Sequence, residues 1–317
     1  MMYCHYIQKM KSLILKIRKF IRLSIFITLV PTLLLAEEVG DKKSLINKAT
    51  SSITDSISNT FGKLTAFKGI KKADLEIEAK DQDFQSDIRA SIITSLSENN
   101  EELQTYWLNQ TNFSNQNDRQ TFNTGFIYRN LSPSNNWIRG INFFYDHEFP
   151  ENHQRASVGL EIKSSAIEFN SNYYKGLSGD KTVGTETERA MDGIDAEFGI
   201  QVPYMPSSKL FFHGYEWDGV DYDVKAGNKI SLRMRPSSAL EIEIGAEDND
   251  RQSDYKTTAK ITLTKTIGET PERNSGFYIS DKAFEFQDMS GEVYEKVRRQ
   301  NRIVKTVTGT VTVARGT

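Results

Sequence analysis

Apolar and polar residues alternate one by one along several segments of this chain. In residues 155–163 (RASVGLEIK), the even positions from Ala156 to Ile162 are apolar, and most odd positions are polar. Residues 194–202 and 240–247 show the same period of two. Because side chains alternate between the two faces of a β-strand, this pattern predicts strands with one apolar face. A helix would mix the two sets on every face.

The same pattern extends over most of the chain and predicts twelve strands. They lie near residues 72–80, 84–96, 101–112, 119–130, 136–148, 153–164, 166–177, 190–202, 209–218, 224–235, 239–247 and 255–266. Most of them have about the length with which a tilted strand crosses a bilayer. An even number of antiparallel strands is what a closed single-chain membrane barrel needs.

The connections between these strands also alternate in character. One set is short and often rich in Pro and Ser: 97–100, 131–135, 203–208 and 236–238. The other set is more charged: 81–83, 113–118, 149–152, 178–189 and 248–254. Outer-membrane barrels have short periplasmic turns and longer, polar outer loops, so the alternation predicts which end of the barrel faces the periplasm.

Aromatic residues give weaker support for a membrane barrel. Trp137, Phe143, Tyr145 and Phe149 share one parity on one predicted strand, and such rings favour membrane interfaces. A soluble β-sandwich also has amphipathic strands and buries such rings, so periodicity does not separate the two folds. The twelve antiparallel candidates and the small residues mixed with charges on the polar faces favour the barrel. The pattern of a secretory signal in residues 1–36 favours it as well.

The N-terminus has the pattern of a secretory signal peptide. Residues 1–22 contain Lys and Arg but no acid, residues 23–35 are mostly apolar, and Glu37 and Glu38 follow Ala36. A membrane-anchoring helix is the alternative, but the apolar run is shorter than a bilayer span and contains Pro31. We therefore predict cleavage after Ala36.

Composition narrows the function. The only cysteine, Cys4, lies in the predicted signal, so the mature chain would have neither disulfides nor thiolate chemistry. A net charge of -2 argues against a nucleic-acid partner. The mean hydropathy of -0.52 is typical of a soluble protein, but a membrane barrel faces lipid with only every second residue.

For each candidate catalytic or metal site, a structural role explains the same residues better. Paired acids such as Glu241 and Glu243 could form a glycosidase site, but acids at every second residue are expected on the wall of a watery lumen. The acidic run 248–254 lacks the Gly and Glu of a calcium loop. His147 has no second His at zincin spacing. We therefore predict no enzymatic activity, no metal and no cofactor.

The chain resembles the β-domain of inverse autotransporters, the intimin and invasin family. Residues 52–64 (SITDSISNTFGKL) resemble the small helix before that family's first strand. Residues 124–129 (TGFIYR) and 140–148 (GINFFYDHE) resemble its N-x-G-x-x-x-R and G-x-N-x-F-x-D strands. Gly159 and Glu161 match its G-x-E strand, and residues 192–206 (DGIDAEFGIQVPYMP) match the segment that ends on Pro-x-x-Pro. Its post-barrel linker is matched by Tyr294, Val297, Arg299, Asn301 and Ile303.

The resemblance implies an all-β fold: a twelve-stranded antiparallel transmembrane β-barrel with a short N-terminal helix and a C-terminal linker that threads the lumen outward. We divide the chain into a signal peptide (1–36), a periplasmic helical lead-in (37–70), the barrel (71–268) and a linker that plugs the lumen without a folded passenger (269–317). The lumen-facing residues are expected to be Glu76, Glu161, Glu197, Glu241 and Glu243. The linker residues expected to fill the lumen are Tyr294, Val297, Arg298, Arg299, Asn301, Arg302 and Ile303.

Three functions remain open from the sequence. The first is a translocator that anchors and exports a C-terminal segment to the cell surface. The second is a small outer-membrane pore or structural barrel without an export role, and the third is a soluble secreted β-protein. For the first two, the partners would be outer-membrane lipid and, as the family implies, the barrel-assembly machinery and periplasmic chaperones. We expect a monomeric barrel.

The first testable prediction concerns location. The mature chain should fractionate with bacterial outer membranes, and its gel mobility should change on heating, because a closed barrel resists detergent until it unfolds. Membrane fractionation with unheated and heated electrophoresis checks this. Recovery of the bulk of the protein in the soluble periplasm would contradict it.

Overall fold

The computed structural model describes residues 69–80, 85–96, 104–116, 119–218, 224–250 and 255–309. The expected signal peptide and short N-terminal helix lie outside these residues. Within them, no helix is long and apolar enough to cross a membrane.

Twelve antiparallel strands close into a barrel, which confirms the predicted fold. The barrel strands are β1 (Ile70–Lys80), β2 (Gln85–Ser95), β3 (Thr105–Gln116), β4 (Arg119–Leu131), β5 (Ile138–Phe149), β6 (His153–Lys163), β7 (Ile167–Gly176), β10 (Asp192–Val202), β11 (Met205–Asp218), β12 (Val224–Ser237), β13 (Leu240–Asn249) and β14 (Lys256–Thr266). Each barrel strand pairs with the next barrel strand along the chain, so that β7 pairs with β10, and β1 pairs with β14 to close the barrel. No barrel strand has a free edge as a result.

The strand bounds differ most from the sequence prediction at β3 and β11. β3 lies about four residues further along the chain than predicted. β11 begins at Met205, because the turn before it consists only of Pro203 and Tyr204, the latter with a φ of 65°. The register shifts beside this turn, where Val202 pairs with Met205. Pro206 is tolerated there because an irregular strand end does not need every backbone N–H.

A second, small sheet lies in the connection between β7 and β10, which the sequence pattern predicts to be a loop. It consists of β8 (Lys181–Val183), β9 (Glu186–Ala190) and the C-terminal strand β15 (Lys305–Gly309), in the order β15-β9-β8. The β8–β9 turn contains Gly184 with a φ of 62°. These strands were missed because they are short and rich in Thr and charged residues, without an apolar face.

The barrel has apolar residues outside and polar residues inside. Phe126, Phe143 and Leu160 expose 59, 55 and 57% of their surface, whereas Arg129 and Asp146 are fully buried. Along β6, outward Val158, Leu160 and Ile162 alternate with inward residues. A soluble protein of this composition would bury side chains such as Phe126, Phe143 and Leu160. Because they are exposed here, the outer face is suited to contact lipid.

The two rims of the barrel differ. The rim that includes the connections 132–137, 164–166 and 203–204 is what we call the turn end, and the opposite rim, which carries the longest connection (177–191) as well as the short one at 150–152, is the loop end. β1 begins and β14 finishes at the turn end. Short turns lie on the periplasmic side of such barrels.

After β14 the chain stays at the turn end before it enters the barrel. Residues 276–289, which we call the arc, follow the turns around the rim, as their hydrogen bonds to Arg235, Tyr204 and Asn135 show. Residues 290–304, which we call the threading segment, then run through the lumen, and β15 follows at the loop end.

The second prediction tests the outer face of β6. Leu160→Lys should destabilise the barrel by about 2–4 kcal/mol, because it places a charge deep in the lipid, whereas a Lys near the interface costs about 0–1 kcal/mol. Gln154→Lys is the matched control, since Gln154 points outward on the same strand but lies near its loop end. Urea unfolding in lipid vesicles measures both. Equal losses would contradict the assigned faces.

Candidate functional site: the plugged lumen and its mouth

The threading segment crosses the lumen without a strand partner. Side chains of the barrel wall bond its backbone instead: Arg129 donates to the carbonyls of Val293 and Glu295 at 2.5 and 2.6 Å, and Gln110 accepts from the N–H of Val297 at 2.8 Å. Further along, the backbone is bonded by Asn172, Tyr174, Arg155 and Asn123. Buried backbone groups need partners, so these wall residues replace the sheet that the segment lacks.

Cations of the threading segment face acids of the wall. Lys296 pairs with Glu76, and Arg298 pairs with Glu197 and Glu243. The remaining pairs join Arg299 to Asp146 at 2.8 Å and Arg302 to Asp87 at 3.1 Å. Each acid is drawn from a different strand, so the segment is held from several sides of the barrel.

Near the turn end the signs are reversed, and acids of the threading segment pair with cations of the wall. Glu295 pairs with Lys72 at 2.6 Å, and Glu292 pairs with Arg235 at 2.6 Å. Arg235 in turn donates to Glu241 at 2.8 Å. The wall groups that pair with charges of the threading segment are therefore first basic and then acidic, and the segment carries the complementary order. Such a pattern favours one register of the segment over others, because a shift would bring like charges together.

An apolar cluster inside the turn end seats the beginning of the threading segment. The segment and the arc contribute Met289, Val293, Tyr294 and Val297, and the wall contributes Ile93, Leu108, Ile127, Leu131, Ile138 and Phe144. The rings of Tyr106 and Tyr294 meet edge to face with their centroids 6.0 Å apart. Burial of apolar surface is the main stabilising term in packing of this kind.

Two glycines of the strands that resemble the family motifs make room for this arrangement. A Cβ on Gly125 would lie 2.5 Å from the ring of Phe144, and a Cβ on Gly140 would lie 2.5 Å from a carboxylate oxygen of Glu161. The space left at Gly125 lets Phe144 lie under the guanidinium of Arg299. The Cζ atom of Arg299 is 4.3 Å from the centroid of the Phe144 ring. The space left at Gly140 lets Glu161 reach Arg129, at 3.1 Å for the longer of their two bonds.

At the loop end the chain leaves the lumen through a group of ion pairs, which we call the mouth cluster. Lys305 contacts Glu148 and Glu188, and Arg119 donates to the same two carboxylates at 2.9 and 2.7 Å. Burial raises the pKa of Glu188, but the bond from Arg119 and the charge of Lys305 outweigh it, so the pKa is lowered overall. The cluster ties β15 to β4, β5 and β9 at once.

His153 completes this cluster, and its Nε2 lies 3.1 Å from Glu188. The ligand atoms of Glu148, His153 and Glu188 lie within 4.8 Å of one another, which is compatible with a metal ion. Arg119 and Lys305 already balance the two carboxylate charges, however, so we interpret the group as an ion-pair network.

A cavity of about 290 Å³ lies beside the threading segment. Its wall is polar and comes from β1, β2 and β10 to β14, with Asp195, Glu197, Lys229, Glu243 and Lys260 among its residues. The lumen is thus filled on one side by the segment and keeps space for water on the other.

The structure places the sequence-derived residues as follows. Glu76, Glu161, Glu197, Glu241 and Glu243 all point inward, and each pairs with at least one cation. All seven linker residues lie on the path through the lumen, and three of the five acids contact that path directly through Lys296 or Arg298. The acids therefore hold the segment and do not merely line a watery channel.

Other residues of the site were not singled out from the sequence. Arg129, Asp146, Asn123 and Arg155 bond the threading segment or its side chains. Their inward parity was readable in the alternating pattern. Which inward residues meet the segment depends on the register between strands, which the pattern does not give.

Comparison with known proteins agrees with this architecture. The family model for the inverse autotransporter β-domain matches residues 33–301. This chain belongs to that family. As an inverse autotransporter β-domain with a closed barrel, it is a protein of the bacterial outer membrane.

Two relatives come from Escherichia coli strain K12. The chain is 25% identical over 199 residues to the inverse autotransporter adhesin YeeJ, a match that covers 59% of this chain and 8% of YeeJ. It is 32% identical over 108 residues to a putative attaching and effacing protein homolog, with 32% of this chain and 36% of the relative covered. The chain therefore spans only a minor part of either relative.

A solved structure supports the fold. It was reported under the name "Unveiling the Mechanism Behind the in-meso Crystallization of Membrane Proteins". The match has a TM-score of 0.59 and 15% identity, and it covers 75% of this chain and all of the other. At this identity the likeness bears on the fold alone.

The third prediction tests the charge pairing in the lumen. Asp146→Asn should cost about 3–5 kcal/mol, because it leaves Arg155 and Arg299 buried without their shared carboxylate. Asp192→Asn is the matched control, since Asp192 pairs with the exposed Lys175 and should matter little. Urea titration of the heat-resistant folded form measures both. A loss for Asp146→Asn no larger than that of the control would contradict the role of the pair.

Proposed function

We propose that this barrel is a translocator that anchors and exports a C-terminal segment to the cell surface. The observation that carries the proposal is the path of the chain. After β14 the chain is at the turn end, and by β15 it has crossed the lumen to the loop end. With the turn end in the periplasm, this path leads out of the cell.

The way in which the threading segment is held suits an exported chain. Its backbone is bonded by side chains such as Asn123, Asn172 and Gln110, which can reorient, and not by a continuous ladder. A chain can advance past such groups one contact at a time. The complementary charges and the mouth cluster at Lys305 then define where the movement stops.

The kind of segment that is displayed is a further proposal. One relative is named an adhesin, and the position of β15 at the loop end would present whatever follows it to the medium. We propose that the displayed region contacts surfaces outside the cell. We propose no catalytic activity and no cofactor for the barrel, because its buried charges are engaged with one another or with the threading segment.

Assembly would follow the route of other barrels of this class. We propose that the chain reaches the membrane with periplasmic chaperones and the barrel-assembly machinery and that it works as a monomer. The apolar outer face, with Phe126, Phe143 and Leu160 exposed, would need protection from water before insertion.

A second candidate function is a small pore. The polar cavity of about 290 Å³ beside the threading segment favours it. If conduction were the function, the segment would be a plug that restricts the lumen, and its exit at the loop end would have no further role.

The fourth prediction concerns the lumen. Deletion of residues 285–317 should raise single-channel conductance in planar bilayers, because it removes the chain that fills one side of the lumen. Deletion of residues 310–317 is the matched control and should leave conductance unchanged, since the segment up to β15 stays in place. Heat-modifiable mobility verifies that both variants fold. Equal conductance of the two deletions would contradict the threaded path.

The fifth prediction separates export from a plain pore. A protease-sensitive tag placed after Thr317 should be cut on intact cells, because the chain leaves through the loop end. The same tag inserted after Gly268, at the turn end, should be cut only once the outer membrane is broken. A tag after Thr317 that stays shielded on intact cells would rule out export.

A further inference from the structure

The arc displays apolar side chains to its surroundings. Ile279 exposes 69% of its surface, the largest value among the large apolar residues that the structure describes. The other exposed apolar side chains of the arc are Phe277, Tyr278, Phe284 and Phe286. So many large apolar groups in one short segment are unusual on a surface that faces only water.

The exposure is fixed by the way in which the arc is attached. Its backbone bonds to successive turns of the barrel: Gly276 donates to Arg235 at 2.9 Å, and Ser280 donates to Tyr204 at 2.9 Å. Further bonds join the arc to Ser165 and Asn135. In the second half, Ala283, Glu285 and Gln287 are partly covered, while Phe284 and Phe286 between them point outward. The backbone of the arc is thus bonded to the barrel turns, whereas most of its rings are exposed.

The arc continues the lipid-facing belt of the barrel. The ring of Phe286 lies with its centroid 5.8 Å from that of Trp137. Trp137 directly precedes β5 and shares its parity with the exposed, outward Ile141, Phe143 and Tyr145. On β7 the outward apolar row begins with the first residue of the strand, the exposed Ile167. The apolar surface of the wall thus reaches the rim where the arc lies.

The charges of the arc are few. It has four charged residues, Asp281, Lys282, Glu285 and Asp288, with a net charge of -2. Asp281 and Lys282 are adjacent and of opposite sign, and Glu285 and Asp288 accept bonds from neighbouring residues. Aromatic rings at the end of a membrane-spanning element favour the level of the lipid headgroups.

We propose that the arc is a membrane anchor that binds the headgroup region of the phospholipid leaflet at the turn end. It extends the lipid contact of the barrel below its strands. The anchor ends at Met289, after which the chain turns into the lumen. It therefore holds the start of the threading segment at the rim while the rest of the chain passes through the barrel.

The experiment places an environment-sensitive NBD label at single cysteines of the full chain in phospholipid vesicles. The background carries Cys4→Ser, since Cys4 is the only cysteine. Test positions are Ile279→Cys and Phe284→Cys. Phe143→Cys, on the outer face in the middle of β5, is the lipid reference, and Glu186→Cys, exposed in β9, is the water reference. Vesicles contain phosphatidylcholine with a nitroxide placed either high or low on the acyl chain.

The expected result is blue-shifted emission at both test positions and a loss of intensity that is larger with the shallow nitroxide than with the deep one. The Phe143→Cys label should show the opposite order, and the Glu186→Cys label should show neither the shift nor the loss. Water-like emission without quenching at the test positions would overturn the proposal.

The same data distinguish lipid from two other partners that could cover the arc, namely a second copy of the protein and the lead-in. Blue-shifted emission without quenching by either nitroxide would mean that protein covers the arc, and this outcome also overturns the proposal. Dilution of the protein in lipid would then identify a second copy, and deletion of residues 37–68 would identify the lead-in. Heat-modifiable mobility verifies folding, and Ile279→Cys keeps the test valid if Phe284→Cys does not fold, because Ile279 is the more exposed.

Discussion

The mutual neutralisation of charge between the barrel wall and the threading segment is the interaction on which the rest of the structure depends. Glu76, Glu243 and Asp146 are buried in a confined lumen, where unpaired carboxylates would be costly. Lys296, Arg298 and Arg299 supply the countercharges from the segment. Without the segment these acids would keep only wall cations such as Arg89, Lys260 and Arg155 as partners, and without the wall the cations of the segment would have none, so the barrel and its own C-terminal chain stabilise each other.

This interaction explains why the lumen is polar and yet filled on one side by the chain. The outer face of the strands must meet lipid, so the polar half of each alternating strand has to point inward. A water-filled lumen would satisfy those groups, but here an extended chain satisfies many of them. Asn and Gln side chains bond its backbone, and acids bond its cations. Such contacts fix a register and remain separable one at a time, which is the combination that the proposed export needs.

The two ends of the threading segment are held by different means. At the turn end, Tyr294 and Val297 pack into an apolar cluster, and the arc runs along the rim with its rings outward. At the loop end, Lys305 joins an ion-pair cluster, and β15 adds to the β8–β9 hairpin. The apolar contacts are buried within the barrel, whereas the ion pairs and the β-sheet contacts lie at the loop end. The hairpin gives the emerging chain its first regular structure outside the lumen.

The chain alone predicts twelve strands with one apolar face each, because a period of two is a local property, but the preference for a membrane barrel over a β-sandwich also needed the N-terminal signal pattern and the family motifs. The same period predicts which residues point inward, such as Glu161 and Glu243. The partners of those residues follow from the three-dimensional fold. That Asp146 holds Arg155 and Arg299, or that Glu188 meets Lys305, depends on strand register and on the path of a distant segment. The arc and the β8–β9 hairpin were likewise set by contacts with the barrel rim and with β15, and no local periodicity encodes such contacts.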